Sequence, residues 1–257
     1  MASFASRLAA LVVACALLAC APVSIVDRTY SSASQDERIQ FIVIHFTSTD
    51  FDEALATLTK GPVSSHYLVR DDPVVVYQLV DDSRRAYHAG ESSWQGNTQL
   101  NASSIGIEIV NRGDRNGEWP DYPQAQIDAV VALVKKLAAR YGVKPDHIVG
   151  HSDIAPLRKV DPGPKFPWKR LADEGLVPWP DAARVAAARA RYETKLPDAA
   201  WFQDKLKHIG YAVPQTASFD EDTRKVIAAF QMKYRSSRFD GTADAETAAI
   251  LDALDLG

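Results

Sequence analysis

Phe41-Ile42-Val43-Ile44 is a continuous apolar, β-branched run with no polar position in it. Such a run reads as a strand buried within a sheet. Further strands and helical patterns alternate along the chain after it. Phe51, Ala54, Leu55 and Leu58 keep helical spacing and predict a short helix ending near Gly61-Pro62. Tyr67-Leu68-Val69 and Val74-Val75-Val76-Tyr77 flank Asp71-Asp72-Pro73, a hairpin-like turn. Ile105-Gly106-Ile107-Glu108-Ile109-Val110 alternates, with isoleucines on one face and Gly106 and Glu108 on the other. After Pro123, residues Ile127, Val130, Val131, Val134, Leu137, Ala138 and Tyr141 form one apolar stripe that Gly142 stops. His147-Ile148-Val149-Gly150 reads as another short strand. This interleaving predicts a mixed α/β domain over residues 39–180, a central β-sheet flanked by helices.

Pro178-Trp179-Pro180 breaks the pattern. Residues 181–196 are an Ala/Arg-rich helical segment expected to act as a connector. Residues 197–257 carry three helical patterns: Trp201, Phe202, Leu206 and Ile209; Val226, Ile227 and Phe230; Ile250, Leu251 and Leu254. The later two begin alike, with Asp220 and Asp244 placed to accept the free N–H groups of a helix start. The expectation is a small, separate C-terminal three-helix module, marginal on its own.

Composition excludes several classes. At 46% hydrophobic and 24% charged, the chain is a folded protein rather than a disordered one. Its net charge of -4 offers no basic excess for phosphates, so nucleic acid is not an expected partner. Both cysteines, Cys15 and Cys20, lie at the extreme N-terminus, so the folded body has no thiol for a disulfide, a zinc site or a nucleophile. No GxSxG elbow is present either. A hydrolase built on this chain would need another source of nucleophile, and zinc provides one by lowering the pKa of bound water to about 7. His45 closes the first strand, His151 closes the strand ending at Gly150, and Asp161 follows in Arg158-Lys159-Val160-Asp161-Pro162-Gly163-Pro164. Strand ends are rigid mounts for ligands. There is no HExxH spacing, and spacing alone leaves open whether these residues bind metal or are satisfied core and surface groups.

The N-terminus reads as an address. Arg7 is the only charge in the first 26 residues, and the apolar run Leu8 to Ala19 is shorter than the roughly 20 residues that span a membrane. Leu17-Leu18-Ala19-Cys20 resembles the lipobox of bacterial lipoproteins. That resemblance implies a signal peptide over residues 1–19, a lipid on Cys20, and a tether over residues 20–38. Ala21 after the cysteine implies delivery to the outer membrane, with the protein on its periplasmic face.

Six blocks in order carry a second resemblance: Val43-Ile44-His45; Ser64-Ser65-His66-Tyr67-Leu68-Val69; Tyr87-His88-Ala89-Gly90; Ser103-Ser104-Ile105-Gly106-Ile107-Glu108; Gly150-His151-Ser152-Asp153-Ile154-Ala155-Pro156; and Arg158 to Pro164. Together they resemble the type 2 N-acetylmuramoyl-L-alanine amidases, which share a fold with peptidoglycan recognition proteins. Residues 198–254 resemble a peptidoglycan-binding three-helix module through Ile209-Gly210-Tyr211, Phe230-Gln231 and Asp240-Gly241. With the lipobox, the whole is similar to the outer-membrane lipoprotein amidases of Gram-negative bacteria. The resemblance implies one Zn2+ per chain on His45, His151 and Asp161, a catalytic carboxylate at Glu108 and a catalytic lysine at Lys159. The implied reaction hydrolyses the amide between N-acetylmuramic acid and L-alanine in peptidoglycan or muropeptides. His66 and His88 lie in matched blocks, and one or both are expected to line the substrate groove or to orient a ligand; for His66 a satisfied structural role is the equal alternative, and His88, beside Ala89-Gly90, is the one expected at the groove. Arg70 is a candidate partner for a stem-peptide carboxylate, and Trp94 for a sugar face or the core. His147 and His208 are expected to be ordinary. The rival readings are a non-catalytic peptidoglycan-binding outer-membrane lipoprotein and a purely structural anchor; neither requires His45, His151, Asp161, Glu108 and Lys159 together.

Overall fold

The apolar run becomes β1, Phe41–Phe46, and all six of its residues are buried. In the computed structural model, which describes residues 29–30 and 32–254, β1 lies between two parallel neighbours, β4 (Ser104–Ile109) and β5 (Ile148–Gly150). β2 (Tyr67–Val69) pairs parallel to β4, and β3 (Val76–Gln78) closes the edge antiparallel to β2, giving the order β3-β2-β4-β1-β5. The expected hairpin is present, but its second strand starts later than Val74. Val75 and Val76 stay more than a third exposed, because nothing pairs with the far side of this edge. Their β-branched character reflects fit to a pleat rather than burial. The signal peptide expected at 1–19, and Cys20 with it, lies outside the described residues; of the tether, residues 32–37 are exposed. No helix among the described residues is long and apolar enough to cross a membrane.

One face of the sheet takes the expected helix. Ile42 and Ile44 of β1 and Ile105, Ile107 and Ile109 of β4 pack against α3 (Gln124–Tyr141) through Ile127, Val130, Val134 and Leu137. Gly142 follows in the left-handed conformation at φ 65° and donates its N–H to the Ala138 carbonyl, which ends the helix. Helix α1 (Phe51–Lys60) is capped by Asp50, whose carboxylate accepts the Glu53 N–H. Three short helices were not apparent from periodicity: α2 (Leu100–Ser103), α4 (His151–Ile154) and α5 (Trp168–Asp173).

The other face differs from expectation. Phe41 and Val43 of β1, with Val149 of β5, belong to one apolar cluster with the C-terminal helices α7 (Ala199–Ile209), α8 (Glu221–Tyr234) and α9 (Ala245–Ala253). The presumed connector, α6 (Ala182–Thr194), joins the same cluster through Ala188 and Tyr192. The module is therefore not separate. It is the second cover of the sheet, within one core in which fully buried side chains such as Phe202, Leu206 and Phe230 each contribute about 1.5–3 kcal/mol to folding. Internally it repeats one device. The Gln203 amide bonds to the loop before α8 and to Thr223, and the Gln231 amide to the loop before α9 and to Thr247.

Candidate metal centre

Alternate residues of β1 point to one face, so His45 follows Phe41 and Val43 onto the side covered by the C-terminal helices. At His45 that cover has ended and a cleft opens. His151 is the first residue of α4, directly after β5, and β5 pairs with β1. Asp161 returns to the same point on the loop after α4. The Ser152 N–H donates to the Asp161 carbonyl at 2.8 Å, and the Tyr122 hydroxyl to the Pro162 carbonyl at 2.8 Å. His45, His151 and Asp161 are 1%, 4% and 6% exposed. Their inward atoms, His45 Nδ1, His151 Nδ1 and Asp161 Oδ2, lie 3.0 Å apart in every pairing.

The surrounding hydrogen bonds fix which ring nitrogens carry protons. His151 Nε2 faces the Ala89 carbonyl at 3.0 Å, which can only accept, so Nε2 carries a proton and, in the neutral ring, Nδ1 holds a lone pair. For His45 the logic runs through three groups. The Ser104 hydroxyl donates to the Leu100 carbonyl, so Ser104 Oγ accepts from His88 Nε2 at 3.2 Å. His88 Nδ1 then has a lone pair and accepts from His45 Nε2 at 3.0 Å. Nδ1 of His45 is left with a lone pair too. Burial, and then the neighbouring His151 ring, push His45 down to about 4, and burial lowers His88 well below its ordinary value, so both rings are neutral. With His151 in its neutral form, three lone-pair donors converge, an arrangement that a bound cation satisfies. Zinc bonds of about 2.0–2.2 Å would separate tetrahedral ligands by roughly 3.3–3.6 Å, so the three atoms at 3.0 Å need to part by only a few tenths of an ångström to take the ion. The second nitrogen of each histidine is held by an outer partner, as in metal sites generally.

The cleft above these atoms encloses about 230 Å³ and is also lined by His88, Glu108 and Lys159. Glu108 stands opposite His45 in the β1–β4 register. Its Oε2 is buried without a protein hydrogen-bond partner. Burial first, and the Asp161 charge second, raise its carboxyl well above the usual range, while Lys159 opposes the rise.

A family model described as N-acetylmuramoyl-L-alanine amidase matches residues 35–164. The N-acetylmuramoyl-L-alanine amidase AmiD of Escherichia coli (strain K12) is 46% identical over 228 residues, covering 84% of this chain and 82% of that one. The chain belongs to the N-acetylmuramoyl-L-alanine amidase family. Among solved structures, AmpDh3 from Pseudomonas aeruginosa superposes with a TM-score of 0.86 at 38% identity, over 91% of this chain and 98% of that one. AmiD from E. coli, in complex with a substrate, superposes at 0.81 with 43% identity, over 89% and 93%. A second family model, described as a peptidoglycan binding domain, matches residues 195–251 of this amidase.

Two weaker candidates, His66 and Arg70, do not line the amidase cleft. His66 is fully buried, with Nε2 on the Arg84 carbonyl and Nδ1 accepting the Gly106 N–H, both at 3.0 Å. Both nitrogens are used by backbone partners, so the ring has none left for a substrate. Arg70 lies just past β2, its guanidinium 4.5 Å over the Phe51 ring and outside the cleft lining. Trp94 takes the core option: it is 3% exposed, edge-on to Tyr211, and donates to the Asp146 carbonyl. His147 stacks on Phe41.

Several contributors to the amidase site had no signal in periodicity. Asn101 Oδ1 accepts the N–H groups of both His88 and Ala89, at 2.9 and 2.8 Å, so one amide holds the outer partners of both candidate histidine ligands. Gly106 makes room for the His88 ring, since a Cβ there would lie 2.5 Å from it. Gly106 was legible as a small residue on the Glu108 face, but not as a seat for an imidazole.

Proposed function

We propose that this amidase is zinc-dependent and cleaves the bond between the lactyl carbonyl of N-acetylmuramic acid and the L-alanine nitrogen of a muropeptide. The observation that carries this reading is the convergence of three hydrogen-free donors beside an unpartnered, uplifted carboxyl. Supporting it, relatives have been solved with anhydromuramic pentapeptide and with anhydro-N-acetylmuramic acid-L-Ala-D-gamma-Glu-L-Lys. His45, His151 and Asp161 would hold the ion, whose chemistry when bound is to polarise the carbonyl and acidify a water. Glu108 takes the proton of the attacking water and passes it to the departing alanine nitrogen. Its raised pKa suits both halves of that exchange. Lys159 faces the same space and sets a fixed positive charge where the carbonyl oxygen gains negative charge. His88 and the Ala89 carbonyl keep the two ligand rings in the tautomers that the ion requires.

The test is digestion of purified muropeptides by zinc-loaded and by chelated protein, with products identified by mass. Release of intact stem peptides only by the loaded form is expected; equal release by both contradicts the zinc requirement.

We also propose that Cys20 carries a lipid that holds the chain at the periplasmic face of the outer membrane, on the strength of Leu17-Leu18-Ala19-Cys20 and Ala21. One acyl chain binds membranes only marginally, so the anchor requires more than one. Cys20→Ser is expected to move the protein from membrane to soluble fractions; unchanged fractionation contradicts the anchor.

A further inference from the structure

The turn that carries His151 is short. Helix α4 has four residues, too few to hold its own geometry. Its third residue, Asp153, is 1% exposed, and each carboxylate oxygen has a donor. Oδ2 accepts the N–H of Gly150, the residue before His151, at 2.8 Å. Oδ2 also accepts the Lys233 ammonium at 2.8 Å, and Oδ1 the Tyr211 hydroxyl at 2.6 Å. Lys233 lies on α8 and Tyr211 just past α7, so both side groups come from the C-terminal module. Lys233 is itself 6% exposed and sits 4.2 Å over the Trp168 ring, with its ammonium 3.5 Å from the Ile148 carbonyl of β5. Both sides of the β5–α4 junction are therefore gripped from the module.

We infer that Tyr211 and Lys233 are positioning residues of the metal centre, acting on His151 through Asp153, so that the C-terminal module sets metal affinity as well as covering the sheet. Removing the Lys233 charge leaves the Asp153 carboxylate buried without its counter-ion. The carboxylate then draws in water or turns away, and the Gly150–His151 backbone it fastens moves with it. Ligand sites tolerate only about 0.5 Å of such movement. The module's role here is independent of any wall-binding role.

The inference rests on the zinc reading above, and zinc itself is the probe. Zinc affinity of the full chain is measured by competition with a chromophoric chelator, and melting temperature is recorded for chelated and zinc-loaded protein. Lys233→Met and Tyr211→Phe are expected to lose about tenfold in zinc affinity, the lower end for outer-shell changes at metal sites. The zinc-induced rise in melting temperature shrinks accordingly, because ligand stabilisation follows affinity. Thr223→Val is the control. Thr223 lies on α8 ten residues before Lys233, about 15 Å along the helix. It should lower both melting temperatures equally and keep wild-type affinity. A merely structural role for Lys233 and Tyr211 predicts that same pattern for them, and that pattern overturns the inference. Should Lys233→Met not fold, Tyr211→Phe, which keeps the ring and removes one hydroxyl, decides the matter alone. Wild-type protein that binds no zinc would instead contradict the metal reading, and the inference with it.

Discussion

Two buried polar clusters meet on helix α4, two residues apart. Around Asp153, every group has its complement: the carboxylate accepts an ammonium, a hydroxyl and a backbone N–H. Around His151, three inward atoms that can all offer lone pairs face one another at equal 3.0 Å spacing. Both clusters are nearly free of solvent, so burial does not tell them apart. Hydrogen-bond accounting does. A structural cluster closes on itself, because an unpaired buried polar group costs about 1–3 kcal/mol. A ligand site leaves its acceptors facing each other and needs something positive from outside.

Breaking the open cluster should have the largest effect. His45→Ala, His151→Ala or Asp161→Ala removes one of three protein ligands, and zinc content measured by elemental analysis should fall to near zero, with amide cleavage following it. Breaking the closed cluster should cost stability. Lys233→Met leaves a buried carboxylate without its counter-ion and should lower unfolding free energy by about 3–5 kcal/mol, read by urea titration. Asp153→Asn combined with Lys233→Met removes both charges and should recover part of that loss. A double change no better than the single one would mean that the ion pair is not the issue. The smallest effect sharpens the boundary between the clusters. Gly106→Ala pushes a Cβ into the His88 ring and should cost about 1–3 kcal/mol, with weakened zinc binding as His45 loses its outer partner. Unchanged zinc affinity in Gly106→Ala would remove His88 from the relay.

The sequence exposed the open cluster better than the closed one. His45 and His151 stand next to strong β-branched runs, and Glu108 is opposite three isoleucines, so their placement followed from periodicity once the family's blocks were aligned. His66 and His88 sit in equally good blocks, yet one is spent on backbone partners and the other lines the cleft. Which ring nitrogen meets a carbonyl is decided by residues far away in sequence. Asp153 looks like an ordinary cap for a short turn; its partners lie 58 and 80 residues further on. The module's packing on the sheet is hidden in the sequence for a physical reason. Pro178-Trp179-Pro180 has the composition of a linker, and the Ala/Arg-rich helix after it looks solvated. A signal did exist in β1: the run Phe41-Ile42-Val43-Ile44 has no polar position and so needs cover on both faces, and residues 39–180 contain only one long apolar helix.

The central claim is that the open cluster binds zinc while Glu108, on the neighbouring strand, moves the proton. Glu108 is not a ligand, so its removal separates the two functions. Zinc content and amide cleavage are measured on one preparation of Glu108→Ala. Retained zinc with cleavage lower by about 10²–10⁴ is expected for loss of a general acid–base group. Retained zinc with cleavage at the wild-type rate would contradict the account.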